Sequence, residues 1–146
     1  MKRGTKIGLG IGCGGLLFLA AVVLVGGYFA LNWVEKNVGE AFEKYEVEGR
    51  EFGKTTDKQG CVNEGFRLSK SVGLIDFNGG MQLSTFVDAC FKTSRETPNF
   101  CEGVPSFWSM KESEWGAAEC RKAGLDPEKT GCVHVTKRKH QFCSGV

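Results

Sequence analysis

Two histidines and two cysteines near the C-terminus have side chains of the kinds that bind zinc. Cys132, His134, His140 and Cys143 form the pattern C-x-H-x5-H-x2-C. Thiolate and imidazole are common zinc ligands, but the standard sites use closely spaced C-x2–4-C and H-x3–5-H pairs. The spacing here fits none of these patterns. We therefore expect no metal and no cofactor, and we interpret His140 as a residue at the rim of a core.

Cysteine chemistry of another kind is a second possibility for this chain. A redox pair usually shows C-x-x-C, and a nucleophilic cysteine has to stay unpaired as a thiolate. No C-x-x-C occurs here. Six of the seven cysteines fall in the C-terminal two thirds of the chain: Cys61, Cys90, Cys101, Cys120, Cys132 and Cys143. An even number in a small domain predicts a disulfide framework in an oxidising compartment.

Other catalytic and nucleotide-binding motifs are weak or absent. No G-x-S-x-G element is present, so nothing points to a serine nucleophile. The glycines at residues 10–15 match the dinucleotide fingerprint G-x-G-x-x-G, but residues 16–31 after them carry no charge on any helix face. A helix that packs on a sheet keeps a polar face toward water. We therefore expect a protein that is not an enzyme.

The apolar N-terminal run predicts a membrane anchor instead. Residues 7–31 are 25 residues without a charge, and a helix of that length spans ~37 Å, enough to cross a bilayer with some tilt. Lys2, Arg3 and Lys6 precede the run. By the positive-inside rule, residues 1–6 lie in the cytoplasm and the C-terminal domain lies outside it, in a bacterial periplasm. A cleaved signal peptide is the alternative, although its apolar region is normally shorter.

Glycines in the first part of the run recur at intervals of four residues. They form two series, which are Gly4, Gly8 and Gly12, and Gly10 and Gly14. Small residues at this spacing let membrane helices approach closely, which favours self-association or a protein partner in the membrane. The alternative is that glycine is simply common in membrane helices.

The rest of the chain predicts an all-α arrangement. Residues 32–48 have helical periodicity and indicate a juxtamembrane stalk helix, and Gly49 and Gly53 indicate a linker over 49–56. Residues 57–146 then form a disulfide-stapled bundle of about four helices. We expect these helices over 57–71, 81–94, 105–124 and 127–142, with Asp57 and Asp126 as N-caps.

An up-and-down bundle narrows the possible cysteine pairings. Cys120 closes the third helix of the bundle and Cys132 opens the fourth, so these two meet at one end. Cys61 and Cys90 lie at matching depths of an antiparallel pair of helices. The two remaining cysteines then meet at the opposite end. We predict the disulfides 61–90, 101–143 and 120–132, each stabilising by about 3–4 kcal/mol on the loop-entropy model.

Two further groups of residues are candidate contact surfaces. Lys137, Arg138 and Lys139 form the strongest charge cluster, either complementing the dipole of the last helix or contacting anionic headgroups and envelope polymers. A loop near residues 100–108 carries three aromatic residues that are candidate partner contacts, namely Phe100, Phe107 and Trp108. The net charge is only +2, which argues against a nucleic-acid-binding protein.

These observations together favour a single-pass, membrane-anchored interaction module facing the periplasm, and an accessory subunit of a membrane complex is one form that such a module takes. The first alternative is a domain that binds lipid or an envelope polymer through its basic last helix. The second alternative is an enzyme without a recognisable motif. The sequence indicates no particular small-molecule ligand. We expect the partner to be a protein or a membrane component.

Overall fold

The computed structural model describes residues 7–107, 109 and 111–145, and it describes no side chain at 7–17, 33–38 or 41. Within these ranges the chain forms helices and no strand, apart from one isolated bridge between Asp57 and Arg95. The helices are α1 (Ile7–Thr55), α2 (Lys58–Ser69), α3 (Phe77–Thr93), α4 (Glu112–Lys122) and α5 (Cys132–Ser144). The prediction of an all-α protein is therefore confirmed.

The chain divides into two units, an N-terminal unit of residues Met1–Glu40 and a C-terminal unit of residues Ala41–Val146. Helix α1 contributes to both. Its last part, residues 41–55, belongs to the C-terminal unit, together with α2 to α5. The fold that could position a site is therefore a bundle of five helical segments rather than the four predicted.

Helix α1 continues through the linker predicted at 49–56. Gly49 and Gly53 were expected to break the helix, and this prediction is wrong because both glycines face α3 instead. A Cβ atom on Gly53 would lie 2.5 Å from the carbonyl oxygen of Cys90, and one on Gly49 would overlap the carbonyl of Phe86. The glycines therefore allow two helices to approach closely, and the contact compensates for their poor helix propensity.

Aspartate caps set the first residues of α2 and α3. Asp57 accepts a hydrogen bond from the backbone N–H of Gly60 at 2.8 Å, as an N-cap does. Asp76 accepts one from Gly79 at 2.9 Å, so α3 begins at Phe77, earlier than the predicted Met81. The sequence between these two positions contains two adjacent glycines and was assigned to a loop, but the cap and the packing of Gly80 override their low propensity.

Helices α4 and α5 start later than predicted. Asp126 forms a tight turn in place of an N-cap: its carboxylate accepts from the N–H of Glu128 at 2.9 Å, and its carbonyl from Thr130 at 3.0 Å. Helix α5 therefore begins at Cys132, and it ends as expected before Gly145, which has a φ of 69°. Helix α4 begins at Glu112 rather than near residue 105.

The helices alternate in direction around one core. Helices α3 and α5 run parallel, because their starts are in contact and so are their ends. Gly80 near the start of α3 lies beside His134 near the start of α5, and near the two ends the rings of Phe91 and Phe142 are 5.1 Å apart. Gly65 of the antiparallel α2 packs where these helices meet. The main buried cluster consists of Cys61, Val62, Leu83, Phe86, Val87, Cys90, Phe91, Phe100 and Val135.

Three disulfides join the helices of the C-terminal unit. They link Cys61 to Cys90, Cys101 to Cys143 and Cys120 to Cys132. This is the pairing that the antiparallel-bundle argument predicts. The first links α2 to α3, the second links the loop after α3 to the end of α5, and the third joins α4 to α5.

Candidate functional site

A cleft in the described part of the C-terminal unit lies between α4 and α5. It has a volume of about 560 Å³, which is in the range of small-molecule sites. Its lining is formed by Ser109, Glu112, Ser113, Trp115, Gly116, Val133, His134, Thr136 and Lys137. Apolar surface from Trp115 and Val133 is thus combined with a few polar groups.

The cleft exists because α4 and α5 are antiparallel and are joined at one end. The Cys120–Cys132 disulfide holds the end of α4 to the start of α5. One turn away from Cys120, Gly116 lies against Thr136, and a Cβ atom at residue 116 would be 2.8 Å from the Thr136 hydroxyl oxygen. The helices therefore approach closely at Gly116, and the larger side chain of the preceding residue, Trp115, lies beside His140 of α5.

His134 is the titratable group of the cleft with a perturbed pKa. Burial of the ring lowers its pKa, and the positive charges of Lys137 and Arg138 lower it further. Its Nε2 atom is buried and forms no hydrogen bond with the described residues. Burial therefore favours the neutral ring, and one of its nitrogens is directed toward the backbone of α3 at Gly80.

His140 lies inside the core, and the prediction that it sits at the rim is wrong. The residue is fully buried, and neither ring nitrogen has a hydrogen-bond partner among the described residues. The nearest charged group is Glu112, whose Oε1 lies 3.7 Å from Nδ1 of His140. Residue 140 follows Thr136 by one turn on the buried face of α5, so its side chain packs inward beside Trp115.

The cysteines and histidines at the C-terminus do not converge on a metal site in the described residues. Cys132 and Cys143 are each bonded to another cysteine, so neither is available as a thiolate. No cluster of three or more histidine, cysteine or acidic side chains occurs within the described ranges. Ser113, His134 and Glu112 all line the cleft, but no hydrogen bond joins any two of these described side chains.

The three side chains of the basic cluster on α5 point in different directions. Arg138 forms an ion pair with Asp88 at 3.3 Å. Lys139 is half-buried with its ammonium 4.8 Å from the centre of the Phe100 ring, and burial lowers its pKa. Lys137 is exposed at the mouth of the cleft. Consecutive helical residues point about 100° apart, so the three cations do not form one patch.

Of the three aromatic residues that are candidate partner contacts, the structure describes two. Phe100 is buried in the core, with its ring 5.6 Å from that of Phe91 and 5.9 Å from that of Phe142. It is therefore not available to a partner. Phe107 is partly exposed. Trp108 lies outside the described residues.

In the N-terminal unit, α1 presents a continuous apolar surface. The large apolar side chains from Phe18 to Leu31 are all more than half exposed. As far as side chains are described, no helix combines the length and apolar character needed to cross a membrane. The predicted span over 7–31 begins before that part, and the glycines proposed for helix packing, Gly4, Gly8, Gly10, Gly12 and Gly14, also lie outside the residues whose side chains are described.

One surface was not predicted from the sequence. Leu74, Ile75 and Phe77 lie at the turn between α2 and α3, and Ile75 is 96% exposed. The sequence signal was present, because apolar residues are unusual in a turn flanked by glycine and aspartate.

No protein-family model matches the chain, and neither any curated protein nor any solved structure is significantly similar to it.

Proposed function

We propose that this protein is a membrane-tethered interaction module whose C-terminal unit functions outside the cytoplasm. The observation that carries the proposal is the exposed apolar surface of α1 between Phe18 and Leu31. Soluble proteins rarely expose contiguous apolar surface of this extent, so such a surface belongs in lipid or against another apolar surface. A membrane span over residues 7–31, retained as a signal anchor, would place this surface in lipid and against other membrane helices.

The disulfides support the extracytoplasmic location. All six cysteines of the C-terminal unit are paired, and disulfides persist in oxidising compartments such as the bacterial periplasm. The remaining cysteine, Cys13, belongs to the apolar run, where a thiol is inert in lipid. A cytoplasmic N-terminus and a periplasmic C-terminal unit account for this division of the cysteines.

The proposed partner is another membrane protein, with this chain as an accessory subunit. The glycines of the apolar run favour helix packing in the membrane, either with that partner or with a second copy. No catalytic role is proposed for the C-terminal unit in this function. Its three disulfides instead make it a rigid platform at the membrane surface.

Fractionation of cells that express the full chain tests this proposal. We expect the chain to remain in membranes washed with alkaline carbonate, and protease added to spheroplasts to degrade its C-terminal unit. We expect Val22→Lys to release the chain from these membranes. Val47→Lys is the matched control, since Val47 is a half-exposed valine of α1 that lies in the C-terminal unit. Six cysteines that react with an alkylating agent before reduction would contradict the proposal.

The alternative in which the basic last helix binds lipid or an envelope polymer has little support. The cluster is split, because Arg138 pairs with Asp88 and Lys139 covers Phe100. A single exposed cation at Lys137 provides little attraction to an anionic surface.

Catalysis is the second candidate function, and one observation favours it. The α4–α5 cleft brings His134, of lowered pKa, and the Glu112 carboxylate into one lining. Perturbed titratable groups in a cleft are candidates for acid–base chemistry. The test is a panel of ester and amide probe substrates. An activity that His134→Gln abolishes, with the disulfides intact, would establish this function, and an inactive purified protein would argue against it.

A further inference from the structure

The turn between α2 and α3 displays three exposed apolar side chains in the described part of the C-terminal unit. We call Leu74, Ile75 and Phe77 the apolar tip. The exposed fractions of these side chains are 42%, 96% and 74%. A single exposed apolar side chain is ordinary, but three within four residues at the end of a bundle form a projecting apolar surface.

The turn that carries the apolar tip is held in place by hydrogen bonds. The N–H of Asp76 donates to the carbonyl of Gly73 at 3.0 Å, and the Asp76 carboxylate caps α3. From the neighbouring loop, the N–H of Gly131 donates to the carbonyl of Val72 at 2.6 Å. The exposed side chains are therefore presented by a fixed backbone, which limits their collapse onto the bundle.

The direction of α1 within the C-terminal unit locates the apolar tip. Gly49 lies against Phe86 of α3, and Gly53 lies against Cys90, four residues further along each helix. The two segments therefore run parallel. Their first residues lie at the same end of the unit, so the chain enters the unit at the end that carries the apolar tip.

The opposite end of the unit is marked by other residues. It carries the Cys101–Cys143 disulfide, the end of α3 at Thr93 and the exposed, charged Glu102. At the entry end, Lys70 is exposed four residues before Leu74. Apolar side chains with a nearby lysine are the combination that suits the boundary between acyl chains and headgroups.

We infer that the apolar tip inserts into the interfacial region of the same bilayer that holds the N-terminal helix. The inference rests on the proposed function, because the apolar run that precedes the unit must lie in a membrane. Continuity of the chain then brings the entry end, rather than the Glu102 end, toward the lipid. The tether supplies a high effective concentration of lipid, so a contact too small to bind a free domain is sufficient here.

The apolar tip would thereby fix the orientation of the C-terminal unit on the membrane. A tether alone leaves a domain free to rotate, whereas a second contact restricts it. The α4–α5 cleft and its His134 would then face a defined direction relative to the membrane surface. The inferred partner of this surface is lipid, and a protein partner at the same surface is an outcome that the test detects.

The experiment places a fluorescent reporter at the apolar tip of the full chain. Ile75→Trp is made in the complete protein and reconstituted in vesicles of phosphatidylcholine and phosphatidylglycerol, with or without brominated acyl chains. Emission from the native tryptophans is removed by subtracting that of the unmodified chain. Glu102→Trp is the matched control, since residue 102 is exposed at the opposite end. We expect brominated lipid to quench most of the emission added at residue 75 and little of that added at residue 102.

The outcomes separate the two proposals. If the chain does not co-sediment with vesicles, the tether fails and the inference fails with it. If the chain co-sediments but the emission at residue 75 is quenched no more than that at residue 102, only the inference is overturned. A blue-shifted emission at residue 75 that brominated lipid does not quench would show a protein surface over the apolar tip, and would also overturn it.

A second measurement uses the unmodified chain, because the introduced tryptophan could itself promote insertion into lipid. Amide hydrogen exchange of the unmodified full chain is compared between vesicles and a detergent micelle small enough to cover only the N-terminal helix. We expect slower exchange in vesicles at Leu74 and Ile75, and no change at Glu102 and Gly103. Equal exchange at the turn in both settings would overturn the inference.

Discussion

Gly49 of α1 lies directly against the backbone carbonyl of Phe86 in α3, with no space between them for a side chain. The contact is repeated one turn later, where a Cβ atom on Gly53 would lie 2.5 Å from the carbonyl oxygen of Cys90. Thr93 also donates a hydrogen bond from its hydroxyl to the carbonyl of Arg50 at 2.8 Å, and the rings of Phe52 and Phe86 are 6.0 Å apart. The last part of α1 is therefore a structural helix of the C-terminal unit.

Replacing Gly49 with alanine tests this contact. The added methyl group collides with backbone, which cannot rotate away, so α1 must move from α3. We expect Gly49→Ala to lower the free energy of unfolding by about 1–3 kcal/mol, as overpacking does. Gly39→Ala is the control, because nothing lies within 4 Å of a Cβ atom there. By helix propensity it should be neutral or stabilise by up to about 1 kcal/mol. Urea unfolding followed by circular dichroism measures both, and equal effects would show that α1 does not pack on α3.

The two disulfides with the longest loops are expected to contribute unequally to the free energy of unfolding. The disulfide that closes the shorter of these two loops is expected to contribute more. Cys101 and Cys143 are 42 residues apart and Cys61 and Cys90 only 29. The loop-entropy model gives about 4 kcal/mol for each, with little difference. Cys61 and Cys90 are both fully buried, whereas Cys101 is exposed.

Burial therefore decides the order. Removing buried sulfur also leaves a cavity in the core, at a further cost of about 1 kcal/mol. We expect the double variant Cys61→Ala/Cys90→Ala to be less stable than Cys101→Ala/Cys143→Ala. Thermal unfolding of the two variants beside the unmodified chain measures this difference. The reverse order would show that loop length alone sets the contribution.

The sequence was sufficient for the disulfide pairing because that pairing depends on local positions. Cys120 and Cys132 lie beside a predicted helix end and start, and an antiparallel bundle joins such positions whatever the details of the core. The continuation of α1 past Gly49 could not be predicted in the same way. Glycine weakens an isolated helix, and only the neighbouring carbonyl of Phe86 reveals why it is tolerated.

The candidate cleft was less accessible to prediction from the sequence than the disulfides. Its histidines were recognised, but their surroundings depend on which face of α5 is buried. Residue spacing placed His140 near the core and did not show that it is fully enclosed. His134 and Glu112 are brought together by the contact at Gly116, a long-range approach that leaves no periodic signal in the sequence.

His140 is expected to reduce stability rather than support it. A buried polar group without a hydrogen-bond partner costs about 1–3 kcal/mol, and both ring nitrogens of His140 are in this position among the described residues. Leucine has a similar volume and no polar atom. We expect His140→Leu to raise the free energy of unfolding by about 1 kcal/mol or more, measured by urea denaturation at neutral pH. A clear loss of stability would instead indicate that the contact with the Glu112 carboxylate, 3.7 Å away, is stabilising.

Acidification is expected to destabilise the C-terminal unit through His134. Its pKa in the folded protein is lowered by burial and by the nearby Lys137 and Arg138. A base with a lowered folded pKa contributes stability that is complete above its unfolded pKa of about 6.5 and is lost as pH falls through the folded value. Asp88 acts in the opposite sense: burial raises its pKa, so protonating it relieves a cost at lower pH.

His134→Gln separates these contributions, because glutamine retains a polar side chain and does not titrate. We expect the free energy of unfolding of the unmodified chain to fall between about pH 7.5 and about pH 5, and to fall less in His134→Gln. Asp88→Asn is the control, and it should leave the fall unchanged or make it steeper, because it removes the group that opposes His134. If His134→Gln and the unmodified chain lose the same stability over this interval, His134 is solvated in the folded protein. That result would contradict its burial in the wall of the α4–α5 cleft.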